Sequence, residues 1–211
     1  MQGFNVLTQV VARALIGAFA IAATMQLASA QASIDDEGMA AYRAGDYVKA
    51  LETWRPLAEK GDPVAQYRLG NLYATGKGVA QSDSAAMLWF MSSAKQGNPD
   101  AQYNVGASYA EGLGVPKSED EAAKWFRRAA DQGMPAAQIN IGLLYASGRG
   151  VPQSNVEAMK WLGLAVIALP PGEPRSDAAR AMQDVAEKMT PEESREAREK
   201  TRMWKAKPEG K

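Results

Sequence analysis

The stretch Tyr73–Ser82, YATGKGVAQS, has the residue types of a phosphate-binding loop, because a lysine stands between two glycines and a serine follows. Such a loop needs a glycine, four further residues and then Gly-Lys-Ser/Thr, so that backbone N–H groups surround the phosphate. Here Asn71 occupies the position of the first glycine, and Gly78 follows Lys77 where a serine or threonine is needed. The pattern fails at two positions and therefore does not predict a nucleotide site.

The same ten-residue pattern recurs as YAEGLGVPKS at 109–118 and as YASGRGVPQS at 145–154, each time 36 residues later. Lys77 becomes Leu113 and then Arg149, whereas the tyrosine, the alanine, both glycines, the valine and the serine stay the same. A phosphate site would keep its cation, and the residues that stay the same are those that shape turns and pack. We therefore predict that Gly76 ends a helix and that Gly78 turns the following loop back.

Two acidic clusters, DDE at 35–37 and EDE at 119–121, are the other groups that could do chemistry. Adjacent residues of a helix point in different directions, and acids at a helix N-terminus stabilise the helix dipole. The chain has no His and no Cys, which removes the commonest general base, thiol catalysis and disulfides. We predict a protein that is not an enzyme and has no cofactor and no metal, with a carboxylate-dependent cell-wall enzyme as an alternative.

The charge balance excludes two classes of partner. Lys plus Arg and Asp plus Glu each number 24, so the chain has no basic surplus that would attract nucleic acid or an anionic membrane. Hydrophobic residues make up 46% of the chain, which is typical of a globular protein.

The first 30 residues have the pattern of an export signal. Arg13 is their only charged residue, an apolar run covers 14–27, and Ala-Ser-Ala at 28–30 is a small-x-small cleavage site. The apolar run is shorter than the roughly 20 residues that a membrane-spanning helix needs. We predict cleavage after Ala30, a periplasmic or secreted protein and no membrane span afterwards; a retained anchor is the alternative.

The rest of the chain is dominated by a repeat. The segments Gly61–Gln96, Gly97–Gln132 and Gly133–Ala168 align without a gap, with 17 identities between the first two and 18 between the last two. A period of this length indicates a solenoid. Each unit is predicted to form two helices, an A helix and then a B helix. We divide the chain into an export signal (1–30), an N-terminal helical hairpin (31–60), three repeats (61–96, 97–132 and 133–168) and a C-terminal helical cap (169–211).

Helix-capping signals fix the predicted starts of these helices. Asp62 can cap the first A helix, whose first position is Pro63, and Ser82 can cap the first B helix. The predicted capping boxes are Ser118 with Glu121 and Ser154 with Glu157. The predicted C-terminal helices are Ser176–Met189 and Pro191–Lys205, the latter capped by Thr190, followed by a frayed end, KAKPEGK.

Three rows of recurring residues have predicted structural roles. A glycine costs about 1 kcal/mol inside a helix, so a recurring one indicates close packing against the paired helix. A recurring buried glutamine needs a recurring partner, so a bond to inter-repeat backbone is favoured over a ligand-binding row. The glycines are Gly70, Gly106 and Gly142, the glutamines are Gln66, Gln102 and Gln138, and the tryptophans, predicted to be core, are Trp89, Trp125 and Trp161. Trp204 either anchors a partner or holds its helix against the last repeat.

The repeated segments VAQYRLGNLYATGKGVAQS, DAQYNVGASYAEGLGVPKS and AAQINIGLLYASGRGVPQS resemble the Sel-one-like repeat (SLR), a relative of the tetratricopeptide repeat. The resemblance covers Gly61 to about Ala168. It implies an all-α fold, a right-handed solenoid of antiparallel helix pairs, and an adaptor that binds other proteins. The cysteine-rich secreted branch of the family differs, because this chain has no cysteine to staple its repeats.

The resemblance also implies where a partner would bind. Related arrays bind through the concave wall formed by their A helices, and we call the corresponding positions the A-helix wall. They are Val64, Tyr67, Asn71 and Thr75; Asp100, Tyr103, Ala107 and Glu111; and Ala136, Ile139, Leu143 and Ser147. Tyr67 and Tyr103 are the foremost predicted contacts, because tyrosine combines a large contact area with a polar tip. The alternative is that both only pack between neighbouring helices.

Taken together, the sequence predicts an exported scaffold that binds a partner protein or peptide and regulates an envelope or signalling protein. The repeat, the export signal and the absence of catalytic residue types favour this function. A cell-wall or polysaccharide binder is the alternative, since aromatic rows can also bind sugars. An open-ended array with polar ends is compatible with a monomer.

Overall fold

The computed structural model describes residues 35–209, so the predicted export signal lies outside the described residues. Within that range the chain is all-helical and has no strand. The helices are α1 (35–43), α2 (Tyr47–Glu59), α3 (Pro63–Thr75), α4 (Asp83–Lys95), α5 (Pro99–Glu111), α6 (Glu119–Asp131), α7 (Pro135–Ser147), α8 (Asn155–Ala168), α9 (Glu173–Ala186) and α10 (Pro191–Met203).

Successive helices pack in pairs and the pairs stack into one array, the predicted α-solenoid. From α2 to α9 each helix packs against the next one along the chain, and α10 returns to pack against α8. Helices α3, α5 and α7 are the A helices of the three repeats, and α4, α6 and α8 are the B helices. Four apolar clusters fill the spaces between them.

The A helices begin where the sequence predicted. Proline occupies the first turn of α3, α5 and α7, where its missing N–H removes no helical hydrogen bond. The side chain of Asp62 accepts from Ala65 N at 2.7 Å, and Asn98 caps α5 in the same way. Met134 precedes α7 and makes no side-chain cap. Two of the three A helices therefore have a side-chain cap.

Only half of each predicted capping box forms at the B helices. Ser118 accepts from the backbone N–H of Glu121, and Ser154 accepts from that of Glu157. The return bond is missing because the serine N–H groups donate to the carbonyls of Tyr109 and Tyr145, at 2.8 and 2.9 Å. The glutamates are left to pair with lysines, Glu121 with Lys124 and Glu157 with Lys160 and Lys200.

The glycines inside the A helices allow close packing, as predicted. A Cβ on Gly106 would lie 2.8 Å from Cδ1 of Phe126 in the paired B helix, and Gly70 and Gly142 face Phe90 and Leu162 in the same way. Gly76 ends α3 in the left-handed conformation at φ 67°, also as predicted.

The second loop glycine has a role that the sequence did not reveal. Gly78 has φ 70°, and a Cβ there would lie 2.5 Å from the carbonyl carbon of Tyr47, the first residue of α2. Gly114 and Gly150 approach the first residues of α4 and α6, Asp83 and Glu119. These glycines therefore turn the loop and also bring it onto the B helix of the preceding unit.

The tryptophan row is only partly core, which corrects the prediction. Trp161 is fully buried, whereas Trp89 and Trp125 are half-buried. Phe90 and Phe126, one residue later, take the fully buried position against the A-helix glycines. The guanidinium of Arg128 covers the exposed side of Trp125, 4.5 Å from the ring centroid.

The C-terminal region departs from the prediction in three places, one of which is the end of α10 at Met203 rather than Lys205. Helix α9 begins at Glu173 and ends at Ala186, three residues earlier than predicted at each end, and its N-cap residue Gly172 provides no side-chain bond. Helix α10 is capped by Thr190 in a complete capping box with Glu193. Residues 204–209, which follow α10, are not frayed, because Lys207 N donates to Asp131 O at 2.8 Å and Glu209 pairs with Arg128.

Candidate functional site

All twelve positions of the A-helix wall lie on the A helices, four each on α3, α5 and α7. The exposed ones are Val64, Thr75, Asp100, Glu111, Leu143 and Ser147, and the half-buried ones are Tyr67, Asn71, Tyr103, Ala107, Ala136 and Ile139. The wall therefore combines solvent-facing side chains with part-buried aromatic and aliphatic ones, and its role in binding stays a prediction.

A concave feature lies at the N-terminal end of the wall, where α1 packs beside α3. A cavity of about 320 Å³ opens there. It is lined by Met39, Tyr42, Trp54, Tyr67, Arg68, Asn71 and Thr75. Three of the predicted wall positions are among these residues, and we call this feature the aromatic cavity.

The aromatic cavity has a rigid aromatic base and a fixed charge. Tyr42 packs against Trp54 with ring centroids 6.0 Å apart. The guanidinium of Arg68 lies 5.0 Å from the Trp54 centroid and pairs with Asp35 at 2.7 Å. Because one face of this guanidinium lies on the Trp54 ring and its N–H groups pair with the Asp35 carboxylate, Arg68 shapes the cavity more than it offers a free charge.

The side-chain amide of Asn71 is a polar group that the cavity leaves available. Among the residues that the structure describes, it has no hydrogen-bond partner, whereas the Asn71 carbonyl accepts from the Thr75 hydroxyl at 2.7 Å. An amide offers two donors and one acceptor oxygen, so it can bond a peptide group or a polar side-chain tip. Largely apolar walls with a small number of available polar groups are typical of binding sites.

A second, smaller cavity continues the wall toward the next repeat. It has a volume of about 140 Å³ and lies between the first and second repeats. Asn71 lines both cavities, and Ala107 of the wall lines the second. The two cavities thus form a row along α3 and α5 with Asn71 between them.

A third depression has a larger volume, about 480 Å³, but lies elsewhere. Asp120 and Lys124 of α6 and the loop at 148–152 form it, and no aromatic side chain lines it. Lys124 is already paired with Glu121 at 2.6 Å. Its open, polar character makes it a weaker site than the aromatic cavity, so volume alone does not decide between them.

The two predicted contact tyrosines have different surroundings. Both are half-buried, and each packs on the phenylalanine of its own B helix, Tyr67 on Phe90 at 6.1 Å and Tyr103 on Phe126 at 5.6 Å. Tyr67 also lines the aromatic cavity, whereas Tyr103 lines none of the cavities described above. The structure therefore favours Tyr67 over Tyr103 as a contact.

The lysine of the apparent phosphate loop is engaged with aromatic rings. Lys77 Nζ donates to Tyr42 Oη at 2.9 Å and lies about 5 Å from the ring centroids of Tyr42 and Tyr47. The hydrogen bond with Tyr42 raises the pKa of Lys77 above its ordinary value. Arg149, two repeats on, likewise reaches the preceding unit, pairing with Glu119 at 2.5 Å. In the two repeats that have a charged residue at this loop position, that residue therefore contacts the preceding unit.

The glutamine row is structural, as predicted. Gln66, Gln102 and Gln138 each donate to a carbonyl in the last turn of the preceding B helix, those of Ala58, Ala94 and Ala130, at 3.1 to 3.4 Å. Two of these glutamines accept a second bond across the repeat, from Gln96 and Gln132, both at 2.8 Å. The row thus links each A helix to the unit before it.

The contribution of α1 to the cavity was not predicted from the sequence. A Cβ on Gly38 would collide with Trp54, as one on Gly70 would with Phe90, so α1 is a degenerate A helix. Aligning these two glycines places Met39 at the wall position of Asn71. This alignment could have revealed the site, but the shortened loop at Gly45 hid it.

The described residues offer no metal centre and no membrane helix. Between residues 35 and 209 no group of three or more acidic side chains is arranged to hold a metal ion. Over the same range no helix has the length and apolar character needed to cross a membrane.

Comparison with known proteins supports the division of this region into repeated helix pairs. The Sel1 repeat family profile matches residues 63–98, 99–134 and 135–166. A Sel1 repeat protein of solved structure from Oxalobacter formigenes is 31% identical with a TM-score of 0.65, covering 71% of this chain and 57% of that one. A protective antigen of uropathogenic Escherichia coli with an SLR fold is 27% identical with a TM-score of 0.54, covering 79% and 45%.

One curated relative matches over a short stretch. An exopolysaccharide production negative regulator of Rhizobium meliloti (strain 1021) is 43% identical over 49 residues, which is 23% of this chain and 18% of the relative. The chain thus spans about half the length of the solved relatives and less than a fifth of the curated one.

These matches and the fold define the class of protein. The chain belongs to the Sel1 repeat proteins, and residues 63–166 are three consecutive Sel1 repeats. Proteins of this family are typically interaction scaffolds, and the fold is generally non-catalytic.

Proposed function

We propose that this chain is an exported, non-enzymatic scaffold that binds a partner protein or peptide on its A-helix wall. The observation that carries the proposal is the aromatic cavity, which places Tyr67 and Asn71 together at the end of the wall. The cavity holds one anchoring side chain of the partner, and the rest of the wall contacts the flanking residues.

The dimensions of the cavity support a side chain as its occupant. Its volume of about 320 Å³ lies at the small end of the range for ligand sites, which is about 300–1,000 Å³. An aromatic or long aliphatic side chain fits that volume, and Tyr42 and Tyr67 offer ring surface to pack against it. The Asn71 amide then bonds the adjoining peptide group and fixes its direction.

The remaining exposed wall positions suit a partner that extends along the array. Val64 and Leu143, at opposite ends of the wall, are 41% and 43% exposed, so apolar surface is available beyond the cavity. Asp100 and Glu111 place acidic groups between them. We expect the partner to present an apolar anchor followed by polar or basic residues.

A regulatory role outside the cytoplasm completes the proposal. The export signal predicted at 1–30 supports a periplasmic or secreted location. The relative named as a negative regulator of exopolysaccharide production supports action on an envelope or signalling protein, over the 49 residues that it shares. The captured partner is then held by the scaffold, and no chemical step is involved.

A polysaccharide partner is the second candidate, since several aromatic rings meet at one cavity and such rings can stack on sugars. Trp54 is only 2% exposed, however, and Tyr42 and Tyr67 are half-buried, which leaves no flat exposed ring of the kind a sugar face needs. A pull-down with insoluble wall material separates the two functions: retention on the polymer without any protein partner would favour the polysaccharide.

The protein-binding function is tested by blocking the cavity. Tagged protein is crosslinked in its native cells and purified, as the unchanged chain, as Asn71→Arg and as Leu88→Arg. Asn71→Arg fills the aromatic cavity, whereas Leu88, 71% exposed on the B helix α4, lies off the wall. We expect a partner that is recovered with the unchanged chain and Leu88→Arg and is lost with folded Asn71→Arg. Equal recovery with all three would show that the cavity is not the site.

A further inference from the structure

The segment that follows α10 binds to the middle of the array in an extended conformation. Trp204 leaves the helix with φ −69° and ψ 142° and packs edge-on against Trp161, with centroids 6.3 Å apart. Lys207 N then donates to Asp131 O at 2.8 Å, and Glu209 N donates to Gln132 Oε1 at 3.2 Å. The last residue of α6 and the residue after it thus each accept a hydrogen bond from a backbone N–H group of this segment. The two donor residues are two positions apart.

The Glu209 carboxylate is recognised by charge and by geometry. Arg128 Nη2 donates to Oε2 at 2.6 Å and Arg128 Nε donates to Oε1 at 3.3 Å, a two-bond fork that suits a carboxylate. Gln102 Nε2 adds a third bond to Oε2 at 2.8 Å, from a side chain that is completely buried. The hydrogen bond from Arg128 holds the pKa of Glu209 below its ordinary value, against the effect of partial burial.

This arrangement occurs at one repeat only. The glutamine pair Gln66 and Gln96 repeats the geometry of Gln102 and Gln132. The position of Arg128, however, is Ser92 one repeat earlier and Leu164 one repeat later. The guanidinium therefore makes the second repeat a carboxylate site, while the glutamine pair alone serves only to join units.

The segment is held by few contacts and buries little surface. Residues 205–208 are all exposed, and only Trp204 and Glu209 are half-buried. Its attachment therefore rests on the Trp204 packing, two backbone bonds and the carboxylate. A segment held in this way can exchange with a competing peptide that supplies the same groups.

We propose that Gln102, Arg128 and Gln132 form a second binding site, for an extended peptide that carries a glutamate, and that residues 205–209 occupy it in competition with a partner. The site is separate from the A-helix wall and does not depend on the function proposed for it. The chain's own segment acts as a built-in competitor, present at an effective concentration in the millimolar range because it is tethered.

The test uses the full-length chain and a variant in which the segment is released. Lys207→Pro removes the N–H group that donates to the Asp131 carbonyl, and Glu209→Ala removes the carboxylate. Trp204 is left unchanged in this variant. The probe is a peptide with the sequence of residues 205–209, KAKPE, blocked at both ends, and the control peptide is KAKPQ. Binding is followed by NMR through the side-chain amide of Gln102, which lies at the site.

We expect KAKPE to shift the Gln102 signals of the released variant at a concentration at least about tenfold lower than in the unchanged chain, because the tethered competitor is gone. KAKPQ should have little effect, and adding Arg128→Ala to the released variant should remove the response. Arg128 is partly exposed, so a near-unchanged unfolding midpoint will confirm that this variant folds.

Any of three results would overturn the proposal. One is a released variant that folds but responds to neither peptide, which would make the segment a structural clamp. The others are an equal response to KAKPE and KAKPQ, which would mean that the carboxylate plays no part, and an equal response of the released and unchanged chains, which would mean that the competition plays no part. None of these results would affect the Asn71→Arg test of the wall.

Discussion

Gln96 donates a hydrogen bond from its side-chain amide to Oε1 of Gln66, 30 residues earlier, at 2.8 Å. Gln132 and Gln102 repeat this bond in the next unit. The third unit has Ala168 at the corresponding position, and Oε1 of the buried Gln138 has no partner among the described residues. In the first two repeats the recurring glutamine therefore uses both its amide nitrogen and its oxygen in hydrogen bonds. In the third repeat only the nitrogen is bonded.

This difference predicts unequal effects of one substitution at two equivalent positions. Gln66→Ala removes one of the bonds that the Ala58 carbonyl accepts and one of the bonds that the Gln96 amide donates, so at about 0.5–1.5 kcal/mol for each bond we expect it to lower the free energy of unfolding by about 1–3 kcal/mol. Gln138→Ala removes a longer bond, 3.4 Å, and also removes the unpaired oxygen, so its cost should be smaller. Urea unfolding of both variants measures the difference, and equal costs would contradict it.

A second prediction concerns glycines in helices. Gly106→Ala places a methyl group 2.8 Å from the buried Phe126 ring, and such overpacking costs about 1–3 kcal/mol, more than the helix gains. Gly163→Ala in α8 meets nothing closer than 3.8 Å, so the variant should gain about 0.5–1 kcal/mol from helix propensity. Thermal unfolding should move in opposite directions for the two variants; a stabilised Gly106→Ala would mean that Phe126 can move aside freely.

Lowering the pH should weaken the packing of α10 against α8, because Glu157 of α8 pairs with Lys200 of α10. Burial alone would raise the pKa of Glu157, but the hydrogen bond from Lys200 at 2.9 Å and the charges of Lys160 and Lys200 outweigh it and lower the pKa below its ordinary value. A carboxyl with a lowered pKa in the folded chain stabilises it fully above the unfolded pKa, and this contribution is lost as the pH falls through the folded value.

The pH prediction is checked by measuring the free energy of unfolding between about pH 7 and pH 3, the interval around the ordinary pKa of Glu. Glu157→Gln should be less stable than the unchanged chain at neutral pH, and the two should converge toward pH 3. Glu52→Gln, on the exposed side of α2, serves as the control. A constant difference between Glu157→Gln and the unchanged chain at all pH values would contradict the role of the charge.

Most of the fold could be predicted because its determinants are local and repeated. A proline at the start of an A helix, a left-handed glycine at its end and a serine before the B helix each act within a few residues, and three copies confirm one another. The start of α9 was misplaced because Gly172 offers no side-chain cap to mark it. The failed capping boxes depend on a carbonyl nine residues away, that of Tyr109 for Ser118, which no local pattern reveals.

The site could be predicted only in part. The A-helix wall follows from the repeat, but the aromatic cavity forms where the repeat degenerates, between Met39 of α1 and Tyr67 of α3. The contact between Glu209 and Arg128 joins residues 81 positions apart in sequence and involves a segment with no helical period. Such contacts depend on how the last helix returns across the array, and composition alone predicted a frayed end.

The most direct test of the scaffold function places a photo-crosslinking amino acid at position 71 in the native cells, with the same residue at position 88 as the control. Position 71 lies between the two cavities of the wall, whereas position 88 is exposed on the B helix α4. We expect one or two specific protein adducts from position 71 and none of these from position 88. Adducts that form from position 88 alone, or equally from both, would contradict binding at the A-helix wall.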